Sequence, residues 1–441
     1  SDPTRSYLAW RPTQTQSPVP AELLTGGEVA DDSEDAALRR RFLSEVCVTT
    51  KEAFAEPVAE RQRLSDERKQ AIESAPGTFV FRDLAAPRSS FVMMRGAYDK
   101  PGEGVEPATP AILPPLVKAN PEGRATRLDL AKWLVADEHP LTARVAVNRF
   151  WQQFFGTGLV KTSYDFGSQG EAPSHPELLD MLALDFRESG WDIKRLVRTL
   201  LLTRAFRQSS YVTPQLLTID PTNRLLARGP RYRLDAEQIR DNALALSGLL
   251  VRKMGGVGTK PYQPDNIWEP VGFAGSNTRF YQRDSGEALY RRSIYVFLKR
   301  TAPPPFMSNF DAPNREQSCS LRERSNTPLQ ALQLMNDVQH VEAAKLLGQR
   351  AMREGGTETD ERIRWLFLTV LAREAEADEL AIVRQQFDGH LERYRSDLDA
   401  AKRLMTQGET PADAELDAAE SAAWTLVANL MLNLDETLTR N

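Results

Sequence analysis

Residues 139–156 read HPLTARVAVNRFWQQFFG, and this stretch decides the fold class. Arg144, Asn148, Trp151 and Phe155 recur at three- and four-residue spacing, the period of an α-helix. A stripe that mixes arginine, asparagine and tryptophan reads in two ways. It is a ligand-facing wall, with the guanidinium stacked on the indole, or a buried helix whose polar groups brace adjoining loops. The second is the commoner case, because buried polar groups are rarely left unpaired.

The same period extends on both sides. RLDLAKWLVA (127–136), HPELLDMLALDFRESG (175–190) and DIKRLVRTLLLTRAF (192–206) all space their apolar residues helically. Helix starts are marked as well. Ser174 with Glu177 has capping-box spacing, Pro176 fits a first turn, Asp192 precedes Ile193, and Asp235 with Gln238 repeats the box. Three further helical patterns cover 328–353, 358–400 with a break near Ala375, and 412–438.

The expected fold is therefore mainly α: a multi-helix body, a small β-hairpin or extended β element before it, and one further strand-like segment, YRRSIYVFLKR (290–300). The β element comes from TFVFRDL (78–84) and FVMMRGAY (91–98). Three regions follow. Residues 1–77 hold an arm and charged helices; 78–116 hold the β element and a linker with five prolines; 117–441 form the helical domain, with an irregular Gly/Pro-rich insertion at about 252–287.

Composition narrows the function. With 441 residues, 41% hydrophobic and 27% charged, the chain is of ordinary globular type. A net charge of −5 argues against general nucleic-acid binding, which needs a basic surface. Cys47 and Cys319 are too few for a disulfide framework or a four-cysteine metal site, no metal site is expected, and no CxxCH motif attaches haem to this chain. No apolar run approaches the roughly 20 residues of a membrane span. SDPTRSYLAW is unlike a secretory signal, and the missing initiator Met suggests that the natural N-terminus lies elsewhere.

Four clusters carry candidate chemistry. DFGSQGEAPSHPE (165–177) offers Asp165, Glu171 and His175 as acid, base or metal ligand; the bland alternative is a helix start whose histidine bonds a neighbouring carbonyl. GGVGTK (255–260) resembles a phosphate loop only superficially, since Thr259 precedes Lys260 and Pro261 follows. Arg228, Arg231 and Arg233 lie beside the helix start at Asp235, where they form an anion site or an ion-pair network with Asp235, Glu237 and Asp241. Finally, FDAPNREQSCSLRERSNTPLQALQLMND (310–337) sets Arg315, Arg322 and Arg324 before a helix capped by Thr327, Pro328 and Gln330. In that helix Leu329, Leu332, Met335 and Val341 are expected to face a core. Cys319 reads as a partly buried, inert thiol, because no histidine lies close enough to activate it.

Several strings together resemble one family: RLDLAKWLVADEHPLTARVAVNRFWQQFFGTGLVKTSYDFGSQGEAPSHPELLD, NRLLARGPRYRLDAEQIRDNALALSGLL, YRRSIYVFLKRTAPPPFMSNFDAPNRE, RSNTPLQALQLMND and LMLNLDETLTRN. They are similar to the domain-of-unknown-function family 1553, the planctomycete-specific domain of planctomycete cytochrome c-type proteins, from about residue 78 to the C-terminus. The resemblance implies a helical, usually exported protein, periplasmic or secreted, with no haem on this chain: haem c sits on an upstream domain or a partner chain, or the protein lacks it. It supplies no catalytic residues. Two functions are thus expected of the chain. One is a scaffold or partner-binding module for a protein partner or cytochrome domain. The alternative is a hydrolase or other enzyme on an extracellular anionic or sulfated polysaccharide, with Asp165, Glu171 and His175 as acid/base groups and Arg231, Arg315, Arg322 and Arg324 as anion clamps.

Overall fold

The computed structural model describes residues 51–75 and 86–440, together with Ala36, Arg39, Phe42, Val80, Phe81, Arg82 and Leu84. The arm expected at 1–35 lies outside the described residues. The chain divides into two compact units, residues 1–88 and 89–441. In the first, helix α1 (Lys51–Ser74) is polar nearly all round and supported by its own ion pairs, Arg63 to Glu60 at 2.6 Å and to Glu67 at 3.4 Å.

The second unit opens with an antiparallel hairpin of β1 (Ser90–Met93) and β2 (Pro101–Val105), pairing Ser90 with Val105 and Phe91 with Gly104. The partner of 90–93 is thus the segment after it. Val80, Phe81, Arg82 and Leu84 of the expected first strand are not in a strand. The turn decides this: Arg95 (φ +53°) and Gly96 (φ +74°) adopt left-handed conformations that reverse the chain at once.

Helix α2 (Arg127–Leu134) starts at Thr126, whose hydroxyl accepts the Asp129 amide at 3.2 Å while the Asp129 carboxylate accepts the Thr126 amide at 2.8 Å. Helices α3 (Thr142–Phe155), α4 (Pro176–Glu188) and α5 (Ile193–Leu202) pack a first core from Val147, Trp151, Phe155, Leu182, Phe186 and Leu200. The mixed stripe on α3 is bracing. Asn148 is fully buried, donates to Val160 O (3.0 Å) and Ser163 Oγ (3.1 Å), and accepts the Val160 amide (2.8 Å); Arg144 pairs with Asp180 at 2.6 Å. Asp192 caps α5 through the Arg195 amide at 3.0 Å. Helix α4, by contrast, is capped at His175 and not at Ser174, whose hydroxyl bonds His175 Nδ1 instead.

Residues Tyr232–Arg233 (β3) pair with Thr439–Arg440 (β4), closing the C-terminal end against the approach to α6 (Ala236–Ser247). The segment 290–300 forms short 3₁₀ turns, Gly286–Tyr290 and Ser293–Tyr295, and single bridges Val251/Arg291 and Thr259/Val296, so its β-like composition yields an extended path without a ladder. The pattern at 328–353 is two helices, α7 (Pro328–Asn336) and α8 (Val338–Glu354), because Asp337 leaves the helical conformation and caps α8 through the Gln339 amide.

Helices α9 (Thr359–Leu371), α10 (Ala377–Ser396), α11 (Leu398–Met405) and α12 (Ala418–Leu432) complete the second core. Its centre is α12, which is mostly apolar and crosses α8 where Gly348 meets the backbone of Trp424. On α7 the expected faces are reversed. Leu329, Leu332 and Met335 are 54%, 57% and 55% exposed, whereas Gln330 (0%) and Leu334 (2%) point inward. Gln330 is held there by bonds to Asn309 O (2.7 Å) and Ser325 Oγ (3.0 Å).

Irregular segments are tied down by arginines donating to backbone carbonyls. Arg224 reaches Gly158 O (2.7 Å) and Leu159 O (2.8 Å), and Arg228 reaches Asp220 O (2.9 Å) and Pro221 O (2.8 Å). Arg291 does the same inside the glycine loop, donating to Val257 O (2.6 Å) and Gly255 O.

Candidate functional site

Helix α6 carries a buried and a partly exposed set of polar groups on adjoining faces, which meet at Ser293. Inward, Arg240 is 2% exposed and spends its guanidinium on Gln339 Oε1 (2.6 Å), Leu289 O (2.7 Å), Arg291 O (2.8 Å) and Ser293 Oγ (3.1 Å). Burial lowers its pKa to about 10, against the opposing pull of Asp241 and Asp337. These bonds pin α6 to the 289–293 segment and to α8.

Outward, the first turns of α6 present Glu237, Gln238 and Asp241. Asp235 starts the helix, its amide bonded to Gln238 Oε1 at 3.0 Å. Asp241 accepts the Ser293 amide (2.8 Å) and hydroxyl (2.7 Å), which fixes the 293–298 strip beside the helix. Two hollows flank this face. One, of about 310 Å³, is lined by Gln153, Asp235, Glu237, Met307, Arg315 and Arg322, among others. The other, about 640 Å³, is lined by Asn242, Val370, Glu436, Thr437 and Arg440. They share Glu237, Gln238 and Ile294, so they form one groove over α6.

The arginines of the 310–337 stretch converge here. Arg322 grips Glu237 with two bonds of 2.6 and 3.2 Å and lies 3.6 Å from Asp235. Burial pushes the Glu237 carboxyl up, but the bonds to Arg322 outweigh it and hold the group below its ordinary range. Arg324 sits 3.6 Å from Asp235, donates to Gly156 O at 3.4 Å and covers the Tyr232 ring at 4.5 Å. Arg315 is the exception. It is exposed, held at φ +66°, and lines the smaller hollow without a hydrogen bond or ion pair among the described residues. Arg231 belongs to the rim of the unit, paired with Asp435 at 2.6 Å.

Asp165, Glu171 and His175 lie on the loop between α3 and α4, and none of them lines this groove. Asp165 accepts the Gly167 amide (2.7 Å), Glu171 pairs with Lys161 (3.2 Å), and His175 bonds Ser174 (3.0 Å). Each of the three thus has a different partner, and among the described residues no three His, Cys, Asp or Glu side chains gather as a metal site. The glycine loop turns its carbonyls onto Arg291, and the Gly255 amide is taken by Tyr295 OH at 2.8 Å, the reverse of an anion cradle. Cys319 is exposed, with its thiol 3.2 Å from Leu321 O, so the expected partial burial does not hold: Ser318 and Ser320 flank it, and the Leu321 side chain is itself exposed.

The groove can bind and orient. Glu237 and Asp235 are acceptors already engaged by guanidinium groups, and Arg315 offers free donors to an anionic group. The sequence points to Arg315, Arg322 and, as a capping residue, Gln238, but not to Asn242, Ser293 and Thr437, which carry no motif and which only the fold brings together.

Among the described residues no helix is long and apolar enough to cross a membrane. No curated protein and no solved structure gives a match to the chain. A family model does, described as PSD1, protein of unknown function (DUF1553), over residues 126–387. The match spans α2 to the middle of α10, including both flanks of α6, and leaves out the hairpin and the C-terminal LMLNLDETLTRN. Because that stretch is more than half of the 441 residues, the chain belongs to the DUF1553 family.

Proposed function

We propose that this chain is a helical scaffold or partner-binding module of an exported, haem-associated assembly. The observation that supports this best is the β1–β2 hairpin. All of β1 is exposed, and Phe91, Val92, Met93, Met94 and Tyr98 present large apolar side chains to water. A lone hairpin is marginal in water, and large apolar side chains left exposed on both of its faces mark an interaction surface. The occupant is a protein, a cytochrome c-type domain upstream or on a partner chain, which carries the haem that this chain lacks a CxxCH motif to hold. A periplasmic or secreted setting goes with that partner.

The test is to purify the native full-length assembly and record its absorbance spectrum with its subunit composition. A haem Soret band in the assembly is the expected result, and Val92→Asp with Met94→Asp should release a separate cytochrome chain from it or, where the haem domain lies upstream in the same chain, leave the linker between the two open to protease. A monomer with no haem and no copurifying chain overturns the proposal.

A second reading, an enzyme on an extracellular anionic or sulfated polysaccharide, is favoured by Arg315 alone, the guanidinium left free beside Arg322 in an open groove. It predicts that the chain binds dextran sulfate, that Arg315→Ala weakens binding severalfold, and that reducing ends are released from a sulfated polymer. A chain that does neither ends this reading.

A further inference from the structure

The glycine loop, residues 252–258 (RKMGGVG), is exposed from end to end, and none of its residues lines the α6 groove. Both of its ends are tied to the 290–297 strip. The Val251 amide donates to Tyr290 O at 3.0 Å, the Thr259 amide to Tyr295 O at 2.7 Å, and the Phe297 amide to Thr259 O at 2.8 Å. Between these ties Gly255 (φ +75°) and Gly256 (φ +87°) turn the chain in left-handed conformations. Buried Arg291 holds the turn from beneath, donating to Val257 O (2.6 Å), Gly255 O and Lys253 O (3.5 Å), while the Gly255 amide donates to Tyr295 OH (2.8 Å). Four polar groups of the loop backbone are thus spent within the protein, and the side chains are left to the solvent.

Two of those side chains are apolar: Met254 is 73% exposed and Val257 67%. The charges joined to them are all positive. Arg252 and Lys253 precede Met254, the Arg292 guanidinium donates to Met254 Sδ at 3.7 Å, and none of the three makes an ion pair among the described residues. No Asp or Glu occurs between Asp241 and Asp265, and Asp241 is itself taken by Ser293. In a chain of net charge −5 this is a local reversal of sign.

The combination fits a lipid surface better than a protein. Three of the loop's residues besides Met254 and Val257 are glycine, so its side-chain area falls far short of the about 800 Å² per partner of a stable protein interface. A membrane interface asks for less. It takes cations for the headgroup phosphates, a few apolar side chains for the acyl boundary, and backbone groups satisfied from within, because lipid offers them no partner. We propose that loop 252–258 docks this protein on an anionic lipid surface, with Arg252, Lys253 and Arg292 at the headgroups and Met254 and Val257 below them.

The test sediments the full chain with vesicles of phosphatidylcholine, alone or with about one-third phosphatidylglycerol. Binding is expected to the anionic vesicles only, and it should fall steeply at about 0.5 M salt. Each basic residue near such a surface contributes a factor of about five, so Arg252→Gln with Lys253→Gln should weaken binding about 25-fold. Met254→Ser with Val257→Ser should weaken it with the charge unchanged, and Met254→Trp should show blue-shifted emission that brominated acyl chains quench. These side chains are exposed, so the urea midpoints of the variants should match the wild type, which separates lost docking from lost fold. The proposal is overturned if the wild-type chain binds neither kind of vesicle or both equally. It is also overturned if the loop variants bind like the wild type while Val92→Asp with Met94→Asp does not, which puts the contact on the hairpin. Binding of poly-glutamate as tight as that of the vesicles, and lost in the same variants, would overturn it too, by making the loop a site for an acidic protein.

Discussion

Replacing Gly348 by alanine tests the crossing on which the second core rests. A Cβ built at Gly348 falls 2.8 Å from both the carbonyl carbon and the carbonyl oxygen of Trp424 and 3.0 Å from the Thr425 amide nitrogen. Ordinary contact begins near 3.4 Å, so α8 and α12 must part by roughly half an ångström. The atoms met are backbone at the buried Trp424 and Thr425 of α12 and have no rotamer through which to yield. Overpacking of this kind costs about 1–3 kcal/mol, while alanine in a helix interior returns about 1 kcal/mol over glycine. Contact with unyielding backbone puts the packing cost toward the top of that range, and a net loss of up to about 2 kcal/mol is expected. Gly389, inside α10, is the control: nothing lies within 4 Å of its Cβ, so Gly389→Ala should stabilise by about 0.5–1 kcal/mol. Urea unfolding followed by circular dichroism measures both variants. If Gly348→Ala is as stable as Gly389→Ala, the close approach of α8 and α12 is wrong.

Three other outcomes are expected. Gly408 has φ +82°, and a Cβ there would run into the Glu342 carboxyl, so Gly408→Ala should cost about 2 kcal/mol or more in the same urea assay. The Asp129 carboxyl is held below its ordinary value of 3.8, chiefly by the Thr126 amide, then the Thr126 hydroxyl and the Ala119 amide. Its contribution is therefore complete above pH 3.8 and lost as pH falls through the depressed value; Asp129→Asn should flatten that part of the stability profile, and an unchanged acid limb would refute it. Exposed Cys319 should take up one equivalent of iodoacetamide in the native state, read by mass spectrometry, with less than about 0.5 kcal/mol change in stability.

Much of the helical frame was legible because period and capping chemistry agree: Thr327 with Gln330, Asp192, and the break near Ala375 all stand where short-range rules put them. What was not legible depends on partners distant in the chain. The apolar stripe of Leu329, Leu332 and Met335 has helical spacing, yet Gln330 occupies the buried side because Asn309 and Ser325 await it there. The hairpin was misplaced because a left-handed turn at Arg95 and Gly96 carries no strong signal when the first residue is an arginine. In the groove, the pairing of Arg322 with Glu237 follows from charge, but which of three neighbouring arginines stays free does not; Arg315 is set apart by its backbone angle.

The guanidinium-to-carbonyl ties have a mechanical consequence. A backbone carbonyl does not ionise and carries no net charge, so the bonds of Arg224, Arg228, Arg240 and Arg291 should respond little to acid and only weakly to ionic strength. Arg322 with Glu237 at the groove wall, and Arg231 with Asp435 at the rim, are pairs of opposite charges at the surface and respond to both. Salt and acid therefore bear on the ion pairs and carboxylate caps, Arg322 with Glu237 and the Asp129 cap of α2 among them, and leave the carbonyl ties of the irregular segments in place.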